Sequence, residues 1–139
     1  MSGSVTICQI PEDLKKQLRD FRFKHSASTN AIILKIDRND HVMKVDAILD
    51  ECSIEELQDE LPDQQPRFVV ISYEIKHSDG RVSFPLCLLF YSPFGCSTEL
   101  QILYAGSRNH LVNACDLRKN AEVREIEEIT KEFLDSKFS

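Results

Sequence analysis

Apolar residues recur along this chain at two spacings, and each spacing predicts a kind of element. Leu14, Leu18 and Phe21, with His25, share one helical face behind Pro11, Glu12 and Asp13, while Lys15, Arg19 and Arg22 point outward. Proline in the first turn, acids beside it and Arg22, Lys24 and His25 at the far end suit the helix dipole. A polar break, Ser26 to Asn30, leads to a predicted strand from Ala31 to Asp37. The turn Arg38-Asn39-Asp40-His41 returns the chain as a strand from Val42 to Leu49. Ser53-Ile54-Glu55-Glu56 reads as a capping box that opens a short helix stopped by Pro62. Strands from Phe68 to Ile75 and from Val82 to Tyr91 follow, joined by a hairpin turn in which Asp79-Gly80 supplies positive φ. The second strand is apolar at both parities, so both of its faces are buried. Helices must then cover the sheet above and below, which predicts a three-layer α/β sandwich.

The segment from Leu100 to Leu117 has the most informative pattern. Leu100, Leu103, Tyr104, Leu111, Ala114 and Cys115 form one helical stripe that must face a core. The opposite side presents Ile102, Ala105, Gly106, Asn109 and Asn113, where a solvated helix would carry Lys and Glu. Gly106 in mid-helix costs about 1 kcal/mol relative to Ala. Such a face lets a partner backbone approach and gives it an apolar knob; the alternative is that a loop of the same chain covers Ile102. Ser97 or Cys96 can cap this helix. Ala121 to Arg124 is left for a short edge strand, parallel to Val82–Tyr91 if it pairs there. A terminal helix near Ile126 to Phe138 turns Ile126, Ile129, Phe133, Leu134 and Phe138 toward the sheet.

Composition narrows the function. With 139 residues, 42% apolar and 29% charged, the chain reads as one globular domain spanning 1–139. Its formal charge of −6, from 23 acids against 17 Lys and Arg, weighs against nucleic acid as a partner. No run of 18 apolar residues occurs and Met1 to Ser4 leads into too short an apolar stretch for a signal peptide, so no membrane association and an intracellular location are expected. Five scattered cysteines without a C-x-x-C pair suggest neither a disulfide framework nor a zinc site, and Cys87 and Cys115 read as core residues. The phosphate, nucleophile-elbow and metalloprotease motifs are missing. Four scattered His residues give no metal site. The pairs Glu55-Glu56 and Glu127-Glu128 fall in first turns of helices, where acids stabilise the dipole. A Cys96–His110 nucleophile pair fails because the intervening helix holds the two about 20 Å apart. The expectation is a protein that is no enzyme and needs no cofactor.

Three runs are similar to the glia maturation factor family: Asp59 to Phe68, Asp79 to Cys87, and Leu103 to Asn109. The resemblance extends from Ser2 to the last helix. It implies the ADF-homology (cofilin-like) fold, a three-layer sandwich with a central mixed five-stranded sheet and helices on both faces. It further implies a cytoplasmic monomer of the actin cytoskeleton that binds the actin-related protein 2/3 complex, inhibits its nucleation and debranches filaments, with actin at the branch junction a further partner. The alternative is a cofilin-like protein that binds actin monomers or severs filaments. Carried over by position, Ile102 is the insertion residue, and Ala105, Gly106, Arg108 and Asn109 the adjoining contacts. Ser2 and Ser4 flank the same groove, and Arg19 and Arg22 offer basic contacts, unless they are only solvated dipole partners. His77, Asp79 and Arg81 mark a second surface, unless Asp79 and Gly80 simply make the turn. The acidic stretch from Glu122 to Glu132 departs from cofilin, whose filament binding uses basic groups there; it opposes binding along filament sides. A secreted growth factor, which the family's name suggests, conflicts with the lack of a signal peptide.

Overall fold

The structure, a computed structural model, describes residues 8–21, 29–72, 74–117 and 119–138. Helix α1 (Glu12–Phe21) buries Leu14, Leu18 and Phe21 as the i, i+4, i+7 spacing requires. The expected basic end, Arg22, Lys24 and His25, lies outside the described residues. Strands β1 (Thr29–Ile36) and β2 (Met43–Cys52) pair antiparallel through the Arg38–Asp40 turn. In that turn the Asp37 and Asp40 carboxylates accept the N–H groups of Asn39 and Val42 at 2.8 and 3.0 Å. Helix α2 (Ile54–Glu60) opens with the capping box: Ser53 Oγ accepts the Glu56 N–H at 3.1 Å, and Glu56 accepts the Ser53 N–H at 3.2 Å.

Strands β3 (Arg67–Ser72) and β6 (Leu86–Tyr91) form the centre of the main sheet, and every residue in both is buried. Between them, β4 (Ile75–Lys76) and β5 (Val82–Ser83) make a separate two-stranded piece. The expected long hairpin is thus broken in two. Pro85 has no N–H to give a ladder, so β5 and β6 cannot be one paired strand. Helix α3 (Thr98–Cys115), edge strand β7 (Lys119–Val123), a 3₁₀ turn (Ile126–Glu128) and helix α4 (Lys131–Phe138) complete the chain.

The five-stranded sheet has the order β2-β1-β3-β6-β7, antiparallel except for the parallel β6–β7 pair. Alternation divides its side chains between two cores. Ile32, Leu34, Phe68, Val70, Leu88 and Phe90 meet α1 and α3; Ile33, Val69, Ile71, Leu89 and Tyr91 meet α2 and α4. This is the three-layer sandwich with a mixed sheet that the sequence predicts.

Three expectations need correction. Helix α3 ends at Cys115, where Asp116 turns left-handed (φ 54°), and Leu117 lies past the helix, completely buried. Ala114 is exposed, and Ser107 takes a place in the buried stripe that the sequence reading gave to apolar residues. The terminal segment is not one helix. Glu128 accepts the N–H groups of Arg124 and Glu125 at 3.0 and 2.9 Å, which closes the 3₁₀ turn, and Thr130 Oγ1 accepts the Phe133 N–H at 3.1 Å to start α4 afresh. No disulfide links any of the five cysteines. Burial pushes the Cys87 thiol up to about 12, well away from any nucleophilic role, while Cys115 is half-buried at the core's margin.

Candidate functional site, the outer face of the long helix

Helix α3 is held to the sheet at defined points, and these set which side faces out. Ser97, not Cys96, is the cap: its Oγ accepts the Leu100 N–H at 3.2 Å. The Tyr104 hydroxyl accepts the Ile36 N–H at 2.8 Å. Ser107 Oγ accepts the Cys8 N–H at 3.0 Å, so the chain just ahead of α1 is tied to the helix. With this stripe inward, Ile102 stands 57% exposed, and Ala105, Asn109 and Asn113 are exposed beside it, with Gly106 half-buried. No described loop seals Ile102. The knob borders a hollow of about 210 Å³ lined by His41, Glu99, Ile102 and Leu103. Arg38, in the β1–β2 turn, reaches to 3.8 Å from Glu99. Sequence reasoning assigned no role to Arg38 or His41, because nothing local shows that their turn lies against the start of α3.

The remaining candidates do not all gather here. Ser2, Ser4 and Arg22 lie outside the described residues. Arg19 is exposed, but it lines a different hollow of about 320 Å³ with Lys15, Leu18 and Ala114 to Asp116, at the other end of α3. Ala114 is twelve residues from Ile102, about 18 Å along the axis. Arg108 lies on the flank and is already engaged. Its two terminal nitrogens reach Glu122 Oε1 at 3.3 Å and Asn120 Oδ1 at 2.6 Å, and its guanidinium sits 5.6 Å from the centre of the Phe90 ring. That residue fastens α3 to β7 before it meets any partner.

His77, Asp79 and Arg81 do come together, on the exposed turn between β4 and β5. His77 Nε2 pairs with Ser83 Oγ at 2.9 Å, and Arg81 Nε donates to Asp79 Oδ2 at 2.7 Å. Gly80 takes φ 93°, as the Asp-Gly pair predicts. The Arg81 N–H, then the Arg81 guanidinium, hold the Asp79 carboxyl below its ordinary value of 3.8. A depressed carboxylate adds stability above its unfolded pKa and loses it as pH falls through the folded one. The Asp79 carboxyl carbon signal should therefore titrate below the ordinary Asp range. A midpoint in or above that range would count against this turn geometry.

Among the described residues, no group of three or more His, Cys, Asp or Glu could hold a metal ion, and no helix is long and apolar enough to cross a membrane. The face offers shape, one apolar knob and a charged margin.

Comparison with known proteins gives this face its context. Residues 7–139 match the family described as cofilin/tropomyosin-type actin-binding protein. Human glia maturation factor beta is 48% identical over 137 residues, which cover 99% of this chain and 96% of that one. Glia maturation factor from Drosophila melanogaster is 40% identical over 94% of this chain and 95% of its own length. The solution structure of glia maturation factor from Caenorhabditis elegans superposes with a TM-score of 0.85 at 54% identity, covering 99% and 100% of the two chains. Plasmodium berghei actin depolymerization factor 2 shares the fold, with a TM-score of 0.79 at 20% identity over 96% of this chain and 98% of that one. The chain belongs to the glia maturation factor family, within the cofilin-type actin-binding proteins.

Proposed function

We propose that this chain, acting as a single domain, binds the actin-related protein 2/3 complex through the outer face of α3, inhibits its nucleation and promotes loss of daughter filaments at branch points. The exposure of Ile102 on a face otherwise made of small, uncharged groups is the observation that carries this reading. Ile102 inserts between the lobes of an actin-related subunit, and Ala105, Gly106 and Asn109 let the partner backbone come close. His77, Asp79 and Arg81 supply a second contact on another subunit, and actin at the junction is a further neighbour. No covalent step is involved: the protein shifts the complex by binding its released state more tightly than its branch-holding state. A contact burying about 1,600 Å² in total is normal for such an encounter.

Cofilin-like binding along filaments is the competing reading, and the charge of the tail speaks against it. Glu125, Glu127 and Glu132 are exposed beyond β7, where an acidic filament surface would repel them. Pure protein added to branched networks under the microscope should shorten branch lifetime, while bare filaments at near-physiological salt should leave it in the supernatant on co-sedimentation. Unchanged branch lifetimes, or pelleting with bare filaments at the same concentration, would sink the proposal.

A further inference from the structure

His41 closes the turn between β1 and β2 with a left-handed backbone, φ 55°. Histidine enters this region more often than most residues, but glycine or asparagine would fill such a place at less cost. The bonds that hold the turn do not explain the choice. The His41 N–H donates to Asp37 O at 2.9 Å, and the His41 carbonyl accepts the Gln9 N–H at 2.8 Å. Both are backbone bonds, which any residue in this conformation could make. Among the described residues the imidazole has no hydrogen-bond or ion-pair partner of its own.

What the ring does is form one wall of the hollow beside Ile102, with Glu99 and Leu103 as its other walls. Three elements meet there. Arg38 of the same turn lies 3.8 Å from Glu99 of α3, and Gln9 is bonded to both His41 and Met43. Cys8, next to Gln9, is fastened to Ser107. The Arg38 and Glu99 side chains are 57% and 74% exposed, so their pairing leaves the hollow open. A side chain that disfavours its own turn, bonds to nothing in the fold and stands beside an exposed apolar knob has the mark of a contact residue. We infer that His41 is a further contact of the α3 face: its ring packs on the rim of the crevice that takes Ile102, on the same actin-related subunit, and offers a ring nitrogen to a polar group there. This inference rests on the function proposed above.

Thermal stability and affinity for the purified actin-related protein 2/3 complex should then part company. His41→Gly frees the left-handed backbone and removes the ring. It should melt at or above the parent's temperature and bind about tenfold more weakly. His41→Asn, which also tolerates the conformation, should lose affinity to the same extent. Glu51→Gly relieves a similar backbone, φ 50°, ten residues along β2 and about 30 Å away, and should bind like the parent. Parent-like binding by both His41 variants, with Ile102→Asp deficient, would overturn the inference and leave the α3 reading in place. Parent-like binding by Ile102→Asp as well would remove both. A His41→Gly protein that binds weakly and melts well below the parent would make the ring a support of the turn. Loss confined to His41→Gly, with His41→Asn normal, would trace to a loosened turn, and equal loss in Glu51→Gly to a general change in the strand. Any of these three results overturns the inference.

Discussion

Ile102→Asp should leave folding intact and abolish binding to the actin-related protein 2/3 complex. The residue is 57% exposed, so stability should change by no more than about 0.5 kcal/mol. The new acid would lie three residues from Glu99, a like-charge pair that costs only a few tenths of a kcal/mol on an exposed helix face. Binding has the opposite sensitivity. An apolar group placed in a partner's crevice gains by leaving water, whereas a carboxylate there must lose its hydration with no cation to receive it. Burying such an unpaired charge costs about 3 kcal/mol or more, a loss of over roughly 100-fold in affinity. The pair of measurements to make is denaturant unfolding and debranching. A variant with the parent's unfolding midpoint and undiminished debranching would show that this face is not the contact surface.

The sequence was informative where a physical period is strict. The double-sided apolar run from Phe84 to Tyr91 required cover on both faces, and β6 has it. The position of Ile102 was legible for the same reason, since 100° per residue fixes which side chains share a side. Prediction failed where one spacing serves two structures. Ile126, Ile129 and Phe133 fit a continuous helix, but they equally fit a 3₁₀ turn followed by a new start. Reciprocal capping by Glu128 and Thr130 decides between them. The surroundings of Arg108 were illegible for another reason: on the helix alone it looks unengaged, and only the approach of β7 puts Asn120 and Glu122 within its reach. Phe94 escaped notice because Ser92-Pro93-Phe94-Gly95 reads as a turn and nothing more. The Arg124 guanidinium that lies 4.4 Å from its ring comes from thirty residues on, brought there by the parallel β6–β7 pairing.

Tyr104→Ala should be the most destabilising single change on α3, and it should reduce binding from the inside of the helix. The side chain is 2% exposed, with its ring 5.4 Å from Phe68, which in turn stacks on Phe90 at 5.1 Å. Removing a large buried aromatic costs about 3–5 kcal/mol, which lowers the melting temperature by about 10–20 °C for a chain of this size. The hydroxyl has a separate job. Leu34 and Phe68 are the last partners of the β1–β3 ladder, and the Ile36 N–H lies beyond it. Tyr104 fills the vacancy by accepting that N–H at 2.8 Å. Tyr104→Phe keeps the ring and strands the donor, so it should cost about 1–3 kcal/mol. The two variants separate packing from hydrogen bonding, and both bear on function, because the same anchor orients the Ile102 side of the helix. Binding should therefore fall in step with stability for Tyr104 variants, unlike Ile102→Asp, where affinity falls alone. Equal unfolding midpoints for Tyr104→Phe and the parent would mean that the Ile36 N–H finds another acceptor, and that α3 is positioned by its apolar stripe without help from the hydroxyl.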